Sequence, residues 1–482
     1  MSADRGDRGE HTVEDDPVAG FFAEARADIA DEPGTELDWQ RIVHESRRAA
    51  RRRGRLTLLS SAAVAVIAIV AVLVWQQQGI SRGVQQGRAI AGSSAVVHTG
   101  GSGGGTSSVS QAQTPTTVPA SFHTWSLSNA GSNTLYALGS QRCGTDVCPV
   151  LLRSGTNGAK WVAVHRFTGT DTSAATGSDV PQVQPERAIT QTRFAKPQVG
   201  FVFGGDLWVT RDSGSTFTKL SHPGSTVLDL EINRDQAVLL SADNCAQGEC
   251  NGPVYVTRFD PAGDAVGASG AQLTLHAPIS GGTVVVQRGE AFVQLTAAKA
   301  STPLPPMRLN GTTLQQLKAS ALCHDTQLQA MTAATNTRDL QLFAVCDPEP
   351  LPGDRLGYTL VRSDDAGRTW SSISRGSLIL PRLGDVWLAV ADPEHLAASS
   401  GGPRDTQGVP AGSGAGSLVV STNGGTQFAP VTAPKGAALP RTGFDWTASP
   451  GAHYLYAVPR TTHGYWTTRD FGATWSVVDP RS

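Results

Sequence analysis

The chain contains 482 residues, of which 17% are charged and 39% hydrophobic, and its formal net charge is −2. A chain of this length has room for roughly two to four domains. Basic and acidic residues nearly balance after residue 75, so the chain lacks the basic surface expected of a nucleic-acid-binding protein.

Residues 1–55 are predicted to form a polar cytoplasmic segment. Residues 1–38 are mainly acidic, whereas residues 39–55 contain seven arginines and a single acid, Glu45. Apolar residues recur at helical spacing between residues 18 and 29, and this spacing predicts a short amphipathic helix.

Residues 56–75 are predicted to form a transmembrane helix. The twenty residues carry no charge, and at about 1.5 Å per residue they cover a hydrocarbon core of roughly 30 Å. A buried core helix is rarely apolar on all faces, and a cleaved signal peptide has a shorter apolar region nearer the N-terminus. The arginines before the span place the N-terminus in the cytoplasm. The sequence therefore predicts a single-pass plasma-membrane protein whose residues 56–75 contact the lipid bilayer.

Residues 76–120 are predicted to form a flexible linker. They are rich in Gly, Ser, Thr and Pro and contain too few apolar residues to bury a core. The remaining residues, 121–482, are then the extracytoplasmic domain.

All six cysteines follow the predicted span, where disulfides form and persist. Two close pairs have the same Cys-x4-Cys spacing but lie about a hundred residues apart, whereas a zinc site needs four converging ligands. The sequence therefore predicts local disulfides rather than a metal site. The predicted pairs are Cys143 with Cys148, Cys245 with Cys250, and Cys323 with Cys346.

From residue 121 onward, short apolar runs alternate with turn residues, a pattern that predicts an all-β domain. An octapeptide recurs in these residues, with Ser or Thr first, Gly fifth and an aromatic residue eighth. Clear copies begin at Thr210, Ser363, Ser421 and Thr468, and a fainter copy begins at Ser154.

Two degenerate copies, ending at Val266 and Leu314, complete a series of seven units of about 52 residues. Units of this length with about four short strands each are typical of propeller blades. The fold class is therefore predicted to be a seven-bladed β-propeller, with six blades as the alternative.

The octapeptide resembles the Asp-box, or BNR repeat, of sialidase-like propellers. The resemblance implies a hairpin turn between the third and fourth strands of a blade, with an Asp or Asn that accepts backbone N–H bonds and a Gly that supplies backbone freedom. It also implies that these turns lie far from the ligand funnel, although a carbohydrate- or metal-binding turn remains the alternative. The implied turn residues are Asp212, Gly214, Phe217, Asp365, Gly367, Trp370, Asn423, Gly425, Phe428, Asp470, Gly472 and Trp475.

Sialidase activity is not predicted. Glycoside hydrolysis needs a nucleophile and a proton donor around one bond, and the Arg-Ile-Pro motif of the family does not occur in the chain. Arg258, Arg308 and Arg441 are candidates to face the funnel, although ordinary surface charge explains them equally well. Since no metalloprotease, phosphate-loop or nucleophile-elbow motif occurs either, the sequence predicts no catalytic, cofactor-binding or metal-binding residue.

The chain is similar to non-enzymatic propellers such as the photosystem assembly factor family (Ycf48-like). By this likeness of fold, we expect a binding or assembly module that engages an envelope protein or a cell-wall glycan through one propeller face. A sialidase-like hydrolase, a lectin and a transmembrane signalling regulator remain alternatives. The N-terminal segment contains no cysteine, which excludes a zinc-type anti-sigma motif.

Overall fold

The computed structural model describes residues 110–482, with gaps at 145, 168–171, 175–180, 184–188, 234, 247, 268–269, 299–303, 319–322, 324–327, 336, 402–413, 452–453 and 460–461. Within these residues there is no helix of the length and apolar character that a membrane crossing requires. The predicted cytoplasmic segment with its short helix, the predicted membrane span and the predicted linker up to residue 109 lie outside the described residues.

The fold is an all-β propeller built from seven four-stranded antiparallel blades, so the predicted fold class and blade number are confirmed and the six-bladed alternative is wrong. Blade 1 contains β1 (His123–Asn129), β2 (Leu135–Cys143), β3 (Asp146–Ser154) and β4 (Val162–Arg166). A hairpin of β5 (Thr172–Ala174) and β6 (Pro181–Val183) follows. Blade 2 contains β7 (Ile189–Lys196), β8 (Val199–Gly204), β9 (Leu207–Thr210) and β10 (Thr218–Leu220).

Blades 3 and 4 share an additional hairpin. Blade 3 contains β11 (Thr226–Asn233) and β12 (Gln236–Ala242), then the hairpin of β13 (Cys245–Ala246) and β14 (Glu249–Cys250), then β15 (Val254–Phe259) and β16 (Ala271–Leu273). Blade 4 contains β17 (Ile279–Gln287), β18 (Glu290–Ala297), β19 (Met307–Asn310) and β20 (Thr313–Gln316). Because β14 pairs with β17, the hairpin extends the sheet of blade 4 to six strands.

The last three blades follow the four-stranded plan. Blade 5 contains β21 (Ala330–Ala333), β22 (Leu342–Leu351), β23 (Arg355–Ser363) and β24 (Ser371–Pro381). Blade 6 contains β25 (Asp385–Val390), β26 (Leu396–Gly401), β27 (Leu418–Ser421) and β28 (Ala429–Pro430). Blade 7 contains β29 (Phe444–Gly451), β30 (Tyr454–Pro459), β31 (Tyr465–Thr468) and β32 (Ser476–Val478).

The first strands of the blades form a closed ring around the axis. We call β1, β7, β11, β17, β21, β25 and β29 the innermost strands; each contacts the next, and β29 contacts β1. The second strands, such as β8 and β12, are buried almost throughout. This burial explains why they are read in the sequence as continuous apolar runs rather than as alternating ones.

Packing of side chains between blades closes the ring. Phe122 and Leu127 of blade 1 share one apolar cluster with Tyr456 and Tyr465 of blade 7. Burying an aromatic or aliphatic side chain of this size contributes about 1.5–3 kcal/mol. Blade 7 also reaches back to the start of blade 1, since His463 Nδ1 lies 2.8 Å from the carbonyl oxygen of Phe122.

The two faces of the disc differ in their connections. We call the face where the innermost strands begin the loop face and the opposite face the turn face. The strand ends that meet the loop face are separated by the longest stretches of chain, which lie between β4 and β7, β12 and β15, β20 and β21, β26 and β27, and β28 and β29. The turn face carries many two-residue turns, such as Arg288 and Gly289 between β17 and β18.

The three predicted disulfides are confirmed. Cys143–Cys148 closes the β2–β3 hairpin and Cys245–Cys250 closes the β13–β14 hairpin. Cys323–Cys346 ties the connection between blades 4 and 5 to β22. All three therefore brace elements of the loop face.

Candidate functional site

The octapeptide turns span residues 154–161, 210–217, 363–370, 421–428 and 468–475 and join the third and fourth strands of blades 1, 2, 5, 6 and 7. In blade 5, Ser363 Oγ donates to Asp365 Oδ1 (2.9 Å) and accepts the N–H of Gly367 (2.7 Å). Thr369 donates its N–H to Asp365 Oδ1 (2.8 Å) and its hydroxyl to Oδ2 (2.6 Å). The carboxylate thus bridges both ends of the turn.

The same pattern holds Asp212 and Asp470 in blades 2 and 7. Asn423 in blade 6 accepts a bond from the N–H of Gln427 (3.0 Å). In the fainter copy, Thr156 Oγ1 accepts the N–H of Lys160 (2.8 Å) in place of a carboxylate. Desolvation raises the pKa of Asp365, but the hydrogen bonds from Thr369 and Ser363 outweigh it, so the pKa lies below the ordinary aspartate value.

Each octapeptide turn needs two successive residues in the left-handed region. The glycine at the fifth position has φ between 78° and 93°, and the residue before it also has positive φ. In four of the five turns that preceding residue is not glycine, as with Ser213 (φ 64°) and Ala366 (φ 64°). The sequence pattern indicated only the glycine.

The turn glycines lie against the preceding blade. A Cβ added to Gly367 would lie 2.8 Å from Leu317 Cδ1, beyond the end of blade 4. A Cβ added to Gly472 would lie 2.8 Å from Val420 of blade 6. The aromatic residue at the eighth position joins these contacts, since Phe217 is fully buried and Trp370, Phe428 and Trp475 are partly buried against neighbouring clusters.

The predicted turn residues therefore do not converge. They lie on the turn face of four separate blades, where they hold blades together. Among the described residues, no group of three or more His, Cys, Asp or Glu side chains is placed to hold a metal ion.

The innermost strands bring together an axial cluster that the sequence did not reveal. It consists of Arg193 on β7, Asp229 and Glu231 on β11, and Trp446 on β29. Arg193 Nε donates to Glu231 Oε2 (3.1 Å), and its Nη2 lies 3.9 Å from Asp229 Oδ1. The guanidinium carbon lies 5.9 Å from the centre of the Trp446 ring. Since β1 lies between β7 and β29 in the ring, this contact links two innermost strands that are not adjacent.

Asp229 is the buried member of the axial cluster. Only 6% of the residue is exposed. Its Oδ2 accepts the N–H of Val284 on blade 4 (2.8 Å), and its Oδ1 accepts the N–H of Leu230 (2.9 Å). Burial raises its pKa to about 6, although Arg193 acts in the opposite direction. A carboxyl with this pKa changes charge near pH 6.

The arginines singled out in the sequence lie elsewhere. Arg258 and Arg308 lie on third strands, β15 and β19, rather than on innermost strands. Arg258 donates to the carbonyl oxygen of Gly289 (2.9 Å), and Arg308 pairs with Glu290 (2.8 Å). Arg441 is exposed in the connection between blades 6 and 7. The sequence feature that could have pointed to the axial cluster is the pair of acids within the apolar strand β11, TVLDLEIN.

No protein-family model matches the chain, and no curated protein is similar to it. Several solved structures are similar to the chain. One is Sqt1 of Saccharomyces cerevisiae, at 10% identity over 77% of this chain and 88% of that one, with a TM-score of 0.44. Another is an ulvan lyase of polysaccharide lyase family PL25, at 11% identity over 77% and 94%, with a TM-score of 0.41. A third is the GH74 enzyme of Niastella koreensis, at 12% identity over 74% and 66%, with a TM-score of 0.26. These similarities describe the fold alone.

Proposed function

We propose that the protein is a membrane-anchored, extracytoplasmic and non-enzymatic binding propeller that engages an envelope protein through its loop face. The observation that carries this proposal is the asymmetry of the disc: the strand ends with the most residues between them and all three disulfides lie on one face. Binding residues commonly sit on loops that a rigid scaffold positions, and cross-links reduce the entropy that such loops lose when they bind.

The axial cluster supports binding rather than hydrolysis. Glu231 is paired with Arg193, and Asp229 accepts two backbone N–H bonds, so both carboxylates are already engaged. A glycosidase needs a nucleophile and a proton donor that face the scissile bond. The contacts of the cluster therefore serve to hold blades 2, 3, 4 and 7 together around the axis.

The predicted span at 56–75 and the residues that follow it would tether the propeller to the membrane. A tether confines the propeller close to the bilayer and raises its effective concentration for partners anchored there. Disulfides fit the oxidising compartment outside the cytoplasm.

In-cell photo-crosslinking of the full chain tests the proposal. A photoreactive residue replaces Glu249, exposed on the β13–β14 hairpin of the loop face, or Thr312, exposed in the β19–β20 turn of the turn face. We expect one envelope protein to be captured from position 249 and not from position 312. Capture from both positions alike, or from position 312 alone, contradicts the proposal.

A cell-wall glycan is the second candidate ligand. Trp387, Trp446 and Trp125 lie on the innermost strands of the consecutive blades 6, 7 and 1, and each is partly exposed. Aromatic faces of this kind suit the apolar faces of sugars. Titration of the full chain with solubilised peptidoglycan fragments, followed by tryptophan fluorescence, tests this candidate. If a glycan binds at the axis, we expect Trp387→Ala to weaken that binding. Trp370→Ala, on the turn face, should leave the affinity for the glycan unchanged.

A further inference from the structure

The segment just before blade 1 fills a groove at the rim between blades 1 and 2. Ser110 donates its N–H to the carbonyl oxygen of Phe217 (2.8 Å) and accepts the N–H of Phe217 on its Oγ (2.8 Å). Gln113 donates its N–H to the carbonyl oxygen of Ser215 (3.2 Å). Thr116 and Ala163 exchange two backbone bonds of 2.9 Å. Residues 110–116 thus add an extended segment to the outer edge of β4 and to the octapeptide turn of blade 2.

The same position between blades 6 and 7 is an open cavity of about 410 Å³. Its two walls are residues 430–434, beginning in β28, and the octapeptide-turn residues 472–475. Counted from the octapeptides, Pro430 stands where Ala163 stands in blade 1, and Trp475 stands where Phe217 stands in blade 2. The cavity is therefore the counterpart of the groove that residues 110–116 occupy.

Smaller side chains keep the second groove open. Thr432 replaces His165, whose ring lies within 4.7 Å of Phe167 and 5.0 Å of Phe217 between centroids. Pro434 replaces Phe167. The positions whose carbonyls accept in the first groove, Ala163, Ser215 and Phe217, correspond to Pro430, Ala473 and Trp475 in the second. Pro430 has no N–H and so supplies one donor fewer than Ala163.

From this repeated geometry we infer that the groove between blades 6 and 7 binds an extended, uncharged peptide segment of a partner protein. Charge identifies the occupant: the lining contains no charged residue, and the segment that fills the counterpart groove, SQAQTPT, has none either. The groove lies on the rim, so this interaction is separate from the proposed binding through the loop face.

A labelled peptide with the sequence of residues 109–118, VSQAQTPTTV, probes the groove on the full chain by fluorescence anisotropy. We expect saturable binding, and a benzophenone on the peptide should crosslink to residues 430–434 and 472–475. Thr432→Trp fills the cavity and should weaken binding at least tenfold. Lys435→Trp adds the same bulk at an exposed position outside the lining and should leave binding within twofold.

Ala473→Trp fills the groove from its other wall and provides an independent test if Thr432→Trp does not fold. Both variants should keep the wild-type melting temperature. N-methylation of the peptide at Ser110 and Gln113 should abolish binding, because the backbone N–H groups of these two residues donate hydrogen bonds to the groove. Absence of saturable binding overturns the inference, as does equal binding by Thr432→Trp. Crosslinks to Ala163 and Ser215 would mean exchange with the protein's own segment, and self-association of the full chain through the groove would mean a second copy; either result also overturns it.

Discussion

The junction between blades 4 and 5 and the junction between blades 3 and 4 use different contacts. At the first, the octapeptide turn of blade 5 places Gly367 against Leu317 and packs Trp370 into a neighbouring cluster. At the second, blade 4 has only a two-residue turn, Gly311 and Thr312.

Side-chain hydrogen bonds and strand pairing replace the octapeptide at the junction between blades 3 and 4. Asp229 accepts the N–H of Val284, and Arg258 donates to the carbonyl oxygens of Gly289 and Leu309. The β13–β14 hairpin of blade 3 pairs with β17 of blade 4. The octapeptide is therefore one means of joining blades, and a blade can lose it when other contacts take over.

The largest expected effect is at Gly367. Gly367→Val forces a branched residue to φ 78° and pushes its Cβ into Leu317, so it should lower the free energy of unfolding by about 3–5 kcal/mol. Gly311→Val also lies at positive φ (59°), but nothing lies within 4 Å of its Cβ, so only the backbone strain of about 1–3 kcal/mol applies. Urea denaturation measures both. Equal losses would show that the turn glycine has no role between blades.

The next largest effect is the loss of stability when a disulfide is removed, and this loss should differ between the disulfides at the two junctions. Cys323–Cys346 closes a loop of 23 residues beside the octapeptide junction, and Cys245–Cys250 closes one of 5. Loop-closure entropy predicts a loss of about 3 kcal/mol for the double replacement Cys323→Ala with Cys346→Ala. It predicts about 2 kcal/mol for Cys245→Ala with Cys250→Ala. Thermal melting under non-reducing conditions gives the order, and a reversed order would mean that the short hairpin matters more through its pairing with blade 4.

The third effect is a pH dependence at the junction between blades 3 and 4. The folded-state pKa of Asp229, about 6, lies above the ordinary aspartate value of about 3.9, so the folded protein binds this proton first as pH falls. The ionised form therefore destabilises the fold, and stability rises as pH falls from about 7 to about 5. Melting temperatures of Asp229→Asn should lack this rise.

Asp264→Asn is the matched control, because Asp264 is a nearly fully exposed carboxylate of blade 3. Its melting temperatures should follow those of the wild type across the same pH range. A rise from pH 7 to pH 5 that persists in Asp229→Asn would assign the effect to another group.

The same contrast explains what the sequence revealed. Two successive left-handed residues and a bridging carboxylate restrict a turn to few sequences, so copies such as those at Ser363 and Thr468 marked the blades and their number. Arg193 and Asp229 have no such signature, because β7 and β11 bring them together only when the ring closes. The groove between blades 6 and 7 was hidden for a related reason, since its walls come from separate repeats.

The smallest expected effect is that of Asp365→Asn, which gives the turn of blade 5 the side chain that the turn of blade 6 has at Asn423. Asp365→Asn keeps the acceptor for the N–H of Thr369 but replaces the acceptor of the Thr369 hydroxyl with an NH2 donor. At Asn423 in blade 6, Gln427 stands at the position of Thr369, so no hydroxyl is present there. We expect a loss of about 0.5–1.5 kcal/mol at pH 7. Because the folded-state pKa of Asp365 is lowered, its stabilisation is present above the unfolded pKa and disappears as pH falls through the folded value. The difference between Asp365→Asn and wild type should therefore shrink below pH about 4. A difference that stays constant to low pH would mean that the turn depends on the shape of the side chain and not on its charge.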